Sequence, residues 1–320
     1  MNVQSYKSSE IDTRELATFI YQVRRAELDK RGMSLAELED RLGHVWQFVG
    51  CVLARSEGEL VGYALLYRIG DSDLIEINPG TTLGHHPVVA PGFDEKAVGA
   101  AMIEAAKECV VQEGFDALYI DIPWDPAAPP ESYDVCRARY GKLGFEVIQQ
   151  VRQMNISLPT GVSAMDLPPG IKLAQIQTVD REALYQCHHE AYMAGDAQYY
   201  FQMDEAERRD DFERIYAPNI REHPASLVLT QSETALGYCL LFAEGEFSEL
   251  MSLAVHPACR RRGYGKLLMN ACLKRAGEEG HETMHLIVDV KNEGAAALYR
   301  HCGFRDVGGN MTFKWKMQTT

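Results

Sequence analysis

The most regular pattern of apolar and polar positions in the chain runs from Glu249 to Arg275. Apolar residues dominate positions 250–255 and predict a strand, which the dipeptide His256-Pro257 ends. After a short basic stretch, apolar side chains return at helical spacing: Leu267, Leu268, Ala271, Cys272 and Ala276. The pattern therefore predicts a strand, a tight turn and a helix.

The turn reads Arg260-Arg261-Arg262-Gly263-Tyr264-Gly265-Lys266. Its two glycines leave the amides of the first helical turn open to a ligand, and the helix dipole and the arginines favour an anion such as a pyrophosphate. A nucleotide P-loop is excluded because Leu267 stands where that motif requires Ser or Thr, and the G-x-G-x-x-G of a Rossmann fold is absent. The alternative is a basic helix start that contacts only solvent.

This stretch and the segment from Asn292 to Phe304 carry a family resemblance. Arg260-x-x-Gly263-x-Gly265, after a strand ending Leu253-Ala254-Val255, resembles the acetyl-CoA motif of the GNAT-type N-acetyltransferase superfamily. The segment NEGAAALYRHCGF resembles that family's second signature, and a strand predicted at 284–288 lies between the two. The resemblance covers residues 171–317, and the first half of the chain shows a weaker similarity to the same family. It implies an α/β (α+β) fold of tandem GNAT-like domains, each a mixed, mostly antiparallel sheet flanked by helices.

The chain also repeats itself at domain size. Three patterns recur in the same order: Gly-Tyr-x-Leu-Leu at 62–66 and 237–241, Val-x-Pro at 89–91 and 255–257, and Tyr-x-x-x-Gly-Phe at 140–145 and 299–304. The polar, Pro- and Gly-rich stretch between the copies has linker composition. We expect a degenerate domain at 1–158, a linker at 159–170 and a catalytic domain at 171–320.

The two copies differ at the anion site. An offset of 166 places Asp94, Glu95 and Lys96 opposite the three arginines, and Ala97 opposite Gly263. Acidic groups repel a pyrophosphate, and a Cβ at Ala97 crowds the backbone. We therefore expect the first copy not to hold CoA in the usual way, while a different ligand there stays open.

The resemblance also implies the residues that bind the donor. The backbone of Leu253, Ala254 and Val255 would contact the pantetheine arm and the acetyl oxygen. The pyrophosphate would lie against Arg260, Arg261, Arg262, Gly263, Tyr264, Gly265 and Lys266. Asn292 would start the second helix and contact CoA, although capping alone also explains it.

Two residues are candidates for the proton transfers. Glu249 occupies the position where some GNAT enzymes carry a carboxylate base, and the first copy has Leu83 at the position predicted to be equivalent. The alternative is an exposed strand glutamate. Tyr299 resembles the family's general acid for the departing thiolate, whereas Tyr140 at the matching place suggests that a purely structural aromatic is also possible.

Composition narrows the class of protein to which the chain can belong. The chain has 320 residues, 46% of them apolar, without an apolar run long enough for a membrane span or a signal peptide, so we expect a cytoplasmic protein. A net charge of −14 argues against nucleic-acid and anionic-membrane binding. The eight cysteines fit buried reduced thiols, and His188, His189, His256 and His301 lack partners at ligand spacing, so no metal is expected.

Two hypotheses of function follow. The first is an acetyl-CoA-dependent N-acetyltransferase that acts on a small-molecule or peptide amine from its C-terminal domain. The second is a non-catalytic CoA- or acetyl-CoA-binding regulatory module. Four large side chains could line the acceptor site or pack between the copies: Tyr199, Tyr200, Phe201 and Met203. Nothing in the sequence specifies an oligomeric state.

Overall fold

The computed structural model describes residues 1–45, 48–69, 74–125, 131–158, 167–195, 200–201, 203–245 and 247–317. Its contacts define two units: Met1–Gln150 with the C-terminal segment from Asn310, and Val151–Gly309. The first unit therefore includes residues 310–316, the second part of the last strand of the chain. The domain limits at 158 and 171 describe the repeat along the sequence and stay a prediction. Most of the predicted linker (159–166) and Tyr199 lie outside the described residues.

The first unit is built on a mixed sheet. Strands β1, β2, β3 and β4 pair antiparallel in that order, β4 pairs with β6 in parallel, and the end of β13 follows β6. The short β5 pairs with β3. The strands are β1 (Asn2–Lys7), β2 (Phe48–Ser56), β3 (Glu59–Arg68), β4 (Ile75–Ile77), β5 (Val88–Val89), β6 (Ala117–Trp124) and β13 (Arg305–Lys316). The helices are α1 (Thr13–Val23), α2 (Arg25–Lys30), α3 (Leu35–Asp40), α4 (Gly80–Leu83), α5 (Glu95–Gln112) and α6 (Glu131–Lys142).

The second unit repeats this order. Strands β8, β9, β10 and β11 pair antiparallel, β11 pairs with β12 in parallel, and residues 151–157 of β7 pair antiparallel with β12. The strands are β7 (Glu146–Ser157, whose residues 146–150 belong to the first unit), β8 (Ile171–Gln175), β9 (Leu227–Gln231), β10 (Thr234–Glu244), β11 (Phe247–Val255) and β12 (Thr283–Asp289). The helices are α7 (Arg181–Met193), α8 (Glu205–Ile215), α9 (Pro218–Arg221), α10 (Tyr264–Glu278) and α11 (Glu293–His301). The predicted fold class, a mostly antiparallel mixed sheet flanked by helices in each half, is confirmed.

The recurring Gly-Tyr motif has the same physical cause in both units. A Cβ on Gly62 would stand 2.9 Å from the carbonyl oxygen of Val88, and one on Gly237 would stand 2.7 Å from that of Ala254. The neighbouring strand passes so close that no side chain fits. The tyrosines that follow, Tyr63 and Tyr238, are fully buried on the opposite face. The motif therefore marks the central strand of each sheet.

Alternating apolar positions build a core on each face of each sheet. In the first unit, one core joins α5 to β4, β6 and the C-terminal strand, which contributes Met311 and Phe313. In the second unit, one core packs α10 and α11 on the sheet, and the other packs α7 and α8. Each fully buried large apolar side chain contributes about 1.5–3 kcal/mol to the free energy of unfolding. The strands that carry the candidate site are thus held from both sides.

Candidate active site

The sheet of the second unit opens along one strand. Strand β11 pairs with β10 as far as Val255, but its parallel pairing with β12 ends at the pair Leu250 and Leu286. Both strands continue beyond that pair. The register with β10 shifts at the same point, which leaves Met251 as an extra residue, and such a bulge bends a strand. Residues 251–255 therefore have no strand partner on the β12 side.

Backbone alternation decides which groups face this opening. The amide of His256 donates to the carbonyl of Leu236 at 2.9 Å, so the amides of alternate residues, including Ala254, also face β10. Leu253 and Val255 then present their backbone groups to the open side. In agreement, the carbonyl of Val255 accepts a hydrogen bond from Arg260 Nε at 3.2 Å. Two of the three residues predicted to contact the acyl donor thus have backbone groups available for it.

Helix α10 begins without a side-chain cap. Its N-cap is Gly263, which has a φ of 82° and no side chain to accept from the first amides. Arg261 has a φ of 63°, which is uncommon for a residue other than glycine. The helix start therefore offers unfilled amides and a positive dipole end, as an anion site requires.

The two glycines of the turn have different tasks. A Cβ on Gly263 would meet open space, so its left-handed backbone is what favours glycine there. A Cβ on Gly265 would come within 3.1 Å of Leu298 and 3.7 Å of Val255. Gly265 is therefore needed for the packing of α10 against α11 and β11.

The basic side chains of the turn also differ in what they contact. Arg260 donates to the carbonyls of Ala191 at 2.6 Å and Ala194 at 2.8 Å, at the end of α7. Arg261 and Arg262 are exposed and form no ion pair within the described ranges. Lys266 Nζ lies 2.8 Å from His301 Nε2. Arg261 and Arg262 are therefore available to bind an anion, whereas the Arg260 guanidinium already donates to carbonyls at the negative end of α7.

Substituting Arg260 should separate these roles. Arg260→Ala is expected to lower the free energy of unfolding by about 1–2 kcal/mol, because carbonyls at the end of α7 lose a charged donor. Arg262→Ala should leave the unfolding free energy unchanged and raise the Kd for acetyl-CoA. Urea denaturation and calorimetric titration measure the two quantities, and the reverse pattern would contradict the assignment.

Glu249 lies one residue before the end of the pairing between β11 and β12. It is half-buried, opposite Phe242 on β10 and His285 on β12. Phe242 packs with the core under α7, so Glu249 is on that face. Its carboxylate has neither a hydrogen bond nor an ion pair to any residue that the structure describes. An unpaired, partly desolvated carboxylate beside an opening in the sheet can accept a proton.

Tyr299 lies near the end of α11 and is 7% exposed. Its ring meets that of Phe304 with centroids 5.9 Å apart, and its hydroxyl has no hydrogen-bond partner among the described residues. Burial raises the pKa of Tyr299, so the phenol stays protonated. Asn292 caps the same helix by accepting from the amide of Ala295 at 3.1 Å. The core of this unit also includes Tyr264, whose side chain is therefore not exposed to a ligand.

Sequence reasoning missed a buried polar chain behind β11. His188 Nδ1 lies 2.6 Å from the Tyr238 hydroxyl, which lies 3.2 Å from Ser252 Oγ, and Tyr192 lies 3.3 Å from the same oxygen. Burial lowers the pKa of His188 to about 4, so the ring is neutral. Its Nε2 is buried without a hydrogen-bond partner in the described ranges. These hydrogen-bonded side chains fix Ser252, the residue immediately before Leu253, whose backbone faces the open side of β11.

The sequence model of the acetyltransferase (GNAT) family matches residues 17–145 and again residues 182–304. The chain belongs to this family. A mycothiol acetyltransferase from Clavibacter sepedonicus is 24% identical over 234 residues, which is 71% of each chain. The two matches confirm the family resemblance and the prediction of an acyltransferase with tandem GNAT domains.

Solved GNAT structures share the fold of the whole chain. A GCN5-related N-acetyltransferase from Sphaerobacter thermophilus superposes with a TM-score of 0.60 at 18% identity, covering 99% of this chain and 96% of that one. A tandem GNAT protein from the clavulanic acid biosynthesis pathway superposes with a TM-score of 0.54 at 14% identity, over 100% and 99%. Over the described ranges, every helix is too short or too polar to cross a bilayer.

The first GNAT unit fills its equivalent helix start with a side chain. Asp94 caps α5, and its Oδ1 accepts from the amides of Lys96 at 3.0 Å and Ala97 at 3.1 Å. A carboxylate on these amides excludes an anion by occupation and by charge. The amides that α10 leaves unfilled are therefore taken in α5.

Two predicted equivalences between the GNAT units are wrong. Eight positions separate Val255 from Gly263, but five separate Val89 from Asp94, so Asp94 corresponds to Gly263, and Ala97 lies one turn further on. Leu83 is buried in the short helix α4 and does not correspond to Glu249. The pairing of strands assigns that position to Glu76 instead.

Proposed function

We propose that the second unit transfers an acetyl group from acetyl-CoA to an amine. The observation that carries the proposal is the order of features along β11: an unpaired carboxylate at Glu249, opened backbone at Leu253 and Val255, and the uncapped start of α10. A GNAT fold in both units supports it. The first unit lacks the uncapped helix start, so the proposal places the donor in the second unit.

Acetyl-CoA supplies the acetyl group as a thioester. The amides at the start of α10, with Arg261 and Arg262, would bind its pyrophosphate. The amide of Leu253 would donate to the acetyl oxygen, where negative charge develops during attack, and the amide of Val255 would contact the pantetheine arm. These donors are fixed by the strand and need no rearrangement. Binding and alignment of this kind supply a large part of the rate in acyl transfer.

Two side chains would move the protons. Glu249 would accept a proton from the ammonium group, and the amine nitrogen would then form its bond to the carbonyl carbon. When the carbon–sulfur bond breaks, Tyr299 would give its proton to the departing thiolate, and the second proton that the nitrogen loses as the amide forms would return to the tyrosinate. Because burial raises the pKa of Tyr299, the phenol is protonated before the reaction and has a proton to give. The products are an amide and the free thiol of CoA.

The proposal is tested by thiol release from acetyl-CoA with a panel of primary amines. Acceptor-dependent release supports an N-acetyltransferase. Tight binding of acetyl-CoA with no transfer to any amine would favour the regulatory module. The regulatory alternative rests on the similarity between Tyr299 and Tyr140. Tyr140 is 2% exposed and packs against Phe145 and Phe313 in the first unit, much as Tyr299 packs against Phe304 in the second.

Tyr299→Phe is expected to lower kcat by about 100-fold, near the lower end for a general acid, because a thiolate is a good leaving group. The ring and its packing are retained, so the Kd for acetyl-CoA should not change. Tyr140→Phe is the matched control and should leave kcat unchanged. Equal rates for wild type and Tyr299→Phe would assign Tyr299 to packing alone.

A further inference from the structure

Four side chains of the second unit share the face of the sheet on which Glu249 lies. Alternate residues of β12 pack into the core under α10 and α11: Met284, Leu286 and Val288. His285 and Ile287 therefore point to the opposite face, and His285 pairs with Glu249 across the parallel strands. Phe247 lies two residues before Glu249 on β11, so it shares that face. These four residues form the acceptor face: Phe247, Glu249, His285 and Ile287.

Large apolar side chains of this face are exposed. Phe247 is 37% exposed and Ile287 is 54% exposed, and the ring centroids of Phe247 and His285 lie 4.9 Å apart. Met251, the extra residue of the bulge, is 39% exposed. Because the pairing of β11 with β12 ends immediately before them, Met251 and Ile287 lie at the mouth of the opening in the sheet. Apolar groups left in water around such a mouth are typical of a ligand-binding site.

The charge of the acceptor face is negative. Strands β10, β11 and β12 contain neither Lys nor Arg, and the Glu249 carboxylate is unpaired within the described ranges. Asp289, two residues after Ile287, adds a second carboxylate on the same side. Its Oδ1 accepts from the amide of Lys291 at 2.8 Å, and Lys291 lies beyond the strand, in the turn to α11. The face therefore attracts an ammonium group, whereas a carboxylate on the same ligand finds no permanent cation on these strands.

Uncharged polar groups lie at the borders of the acceptor face. Because of the bulge, Ser252 is the next residue of β11 on this side. Its hydroxyl oxygen lies 3.2 Å from that of Tyr238 and 3.3 Å from that of Tyr192, so it is already engaged. At the other border, Gln153 and Asn155 of β7 pair with β12. The centre of the face thus suits an aromatic or aliphatic group better than a sugar, whose hydroxyls need hydrogen-bond partners.

We infer that the acceptor is a primary amine that a short alkyl chain joins to an aromatic or other apolar group, with no carboxylate on the carbon beside the nitrogen. Its ammonium group would lie against Glu249, and its apolar group would cover Phe247 and Ile287. The inference deepens the proposed function and rests on it, because it names the acceptor class for the carboxylate that receives the amine proton. Burial of the apolar group supplies affinity, and the charge of the face rejects amino acids.

Amines that differ from one another by a single group test the inference. Phenethylamine has the predicted chemistry, phenylalanine adds a carboxylate to it, and ethanolamine replaces its ring by a hydroxyl. The kcat/KM for phenethylamine should exceed that for phenylalanine about 100-fold, because Glu249 and Asp289 repel the carboxylate. It should exceed that for ethanolamine about tenfold, because the ring is no longer buried. Phenylalaninamide keeps the shape of phenylalanine without its charge and should react about tenfold faster than phenylalanine. Thiol release from acetyl-CoA measures these values.

Binding is measured separately from turnover, by calorimetric titration of the full chain in the presence of CoA. The Kd for phenethylamine should be about tenfold or more below those for phenylalanine and ethanolamine. This preference without thiol release from any amine would refute the proposed function and support the amine class. Thiol release with phenylalanine, ethanolamine or glucosamine at least as fast as with phenethylamine would overturn the inference and support the proposed function. Neither preference nor release would overturn both.

Variants locate the selectivity on the acceptor face. Phe247→Ala should raise the KM for phenethylamine about tenfold with kcat unchanged, and should leave the KM for ethanolamine unchanged. Ile287→Arg places a cation at the mouth of the opening, so the kcat/KM for phenylalanine should rise about tenfold while that for phenethylamine falls, a gain that a misfolded variant cannot show. Val135→Ala, at an exposed apolar side chain of α6 in the first unit, is the matched control and should leave every value unchanged. Wild-type selectivity in both Phe247→Ala and Ile287→Arg would overturn the inference.

Discussion

Replacing Glu249 by Gln is expected to lower kcat for acetyl transfer by about 1,000-fold at neutral pH, within the range for a general base. The amide has nearly the shape of the carboxylate but cannot take the ammonium proton, so the amine must lose it to solvent first. The Kd for acetyl-CoA should not change, because Glu249 lies on the face under α7, whereas the side chains of Leu253 and Val255 pack on the other. Steady-state kinetics and calorimetry measure the two effects.

The pH dependence of Glu249→Gln separates a base from a structural residue. Higher pH supplies free amine, so the deficit of the variant should shrink as the pH rises toward the pKa of the acceptor. Glu146→Gln, at an exposed strand glutamate of the first unit, is the matched control and should behave as wild type. A kcat for Glu249→Gln equal to that of wild type would support the alternative of an exposed strand glutamate.

Gly263→Asp is expected to raise the Kd for acetyl-CoA by about 100-fold or more. The substitution brings a carboxylate to the first turn of α10, as Asp94 does in α5, and Asp tolerates left-handed backbone better than most residues. Lost charge-assisted hydrogen bonds and repulsion of the pyrophosphate together amount to about 3–4 kcal/mol at such a partly exposed site.

Two further variants show whether charge is the cause. Gly263→Asn can cap the helix but carries no charge, so its Kd should rise only about tenfold, from loss of the amides alone. Gly280→Asp places the same residue at another exposed left-handed glycine, with a φ of 92°, just beyond the other end of α10. Its Kd should match that of wild type. An unchanged Kd in Gly263→Asp would refute the assignment of the pyrophosphate to this helix start.

The features that the sequence predicted correctly are those that leave a local pattern. The strand, turn and helix at 249–275 follow from apolar periodicity, and β11 and α10 lie where that periodicity placed them. The Gly-Tyr motif recurs in the sequence because a Cβ on its glycine would stand 2.9 Å from a neighbouring carbonyl oxygen in the first unit and 2.7 Å in the second. Steric demand of this kind recurs in the sequence whenever the fold recurs.

The errors came from features without a local pattern. A strand anchor fixed the offset of 166, but the loop after that strand is shorter in the first unit, so the offset failed at Asp94. Glu76 was missed because its strand has three residues, although the alternation Ile75-Glu76-Ile77 was a signal for it. The partners of Arg260 lie 66 and 69 residues away, and only the folded chain brings them together.

The interleaving of the two units has a consequence for biosynthesis. Met311 and Phe313 belong to the core of the first unit, but a ribosome makes them after every residue of the second unit, which ends at Gly309. Until they emerge, the sheet of the N-terminal unit ends in an unpaired edge at β6, and such an edge invites pairing with other chains. The half of the protein that is translated first is therefore the half that is completed last.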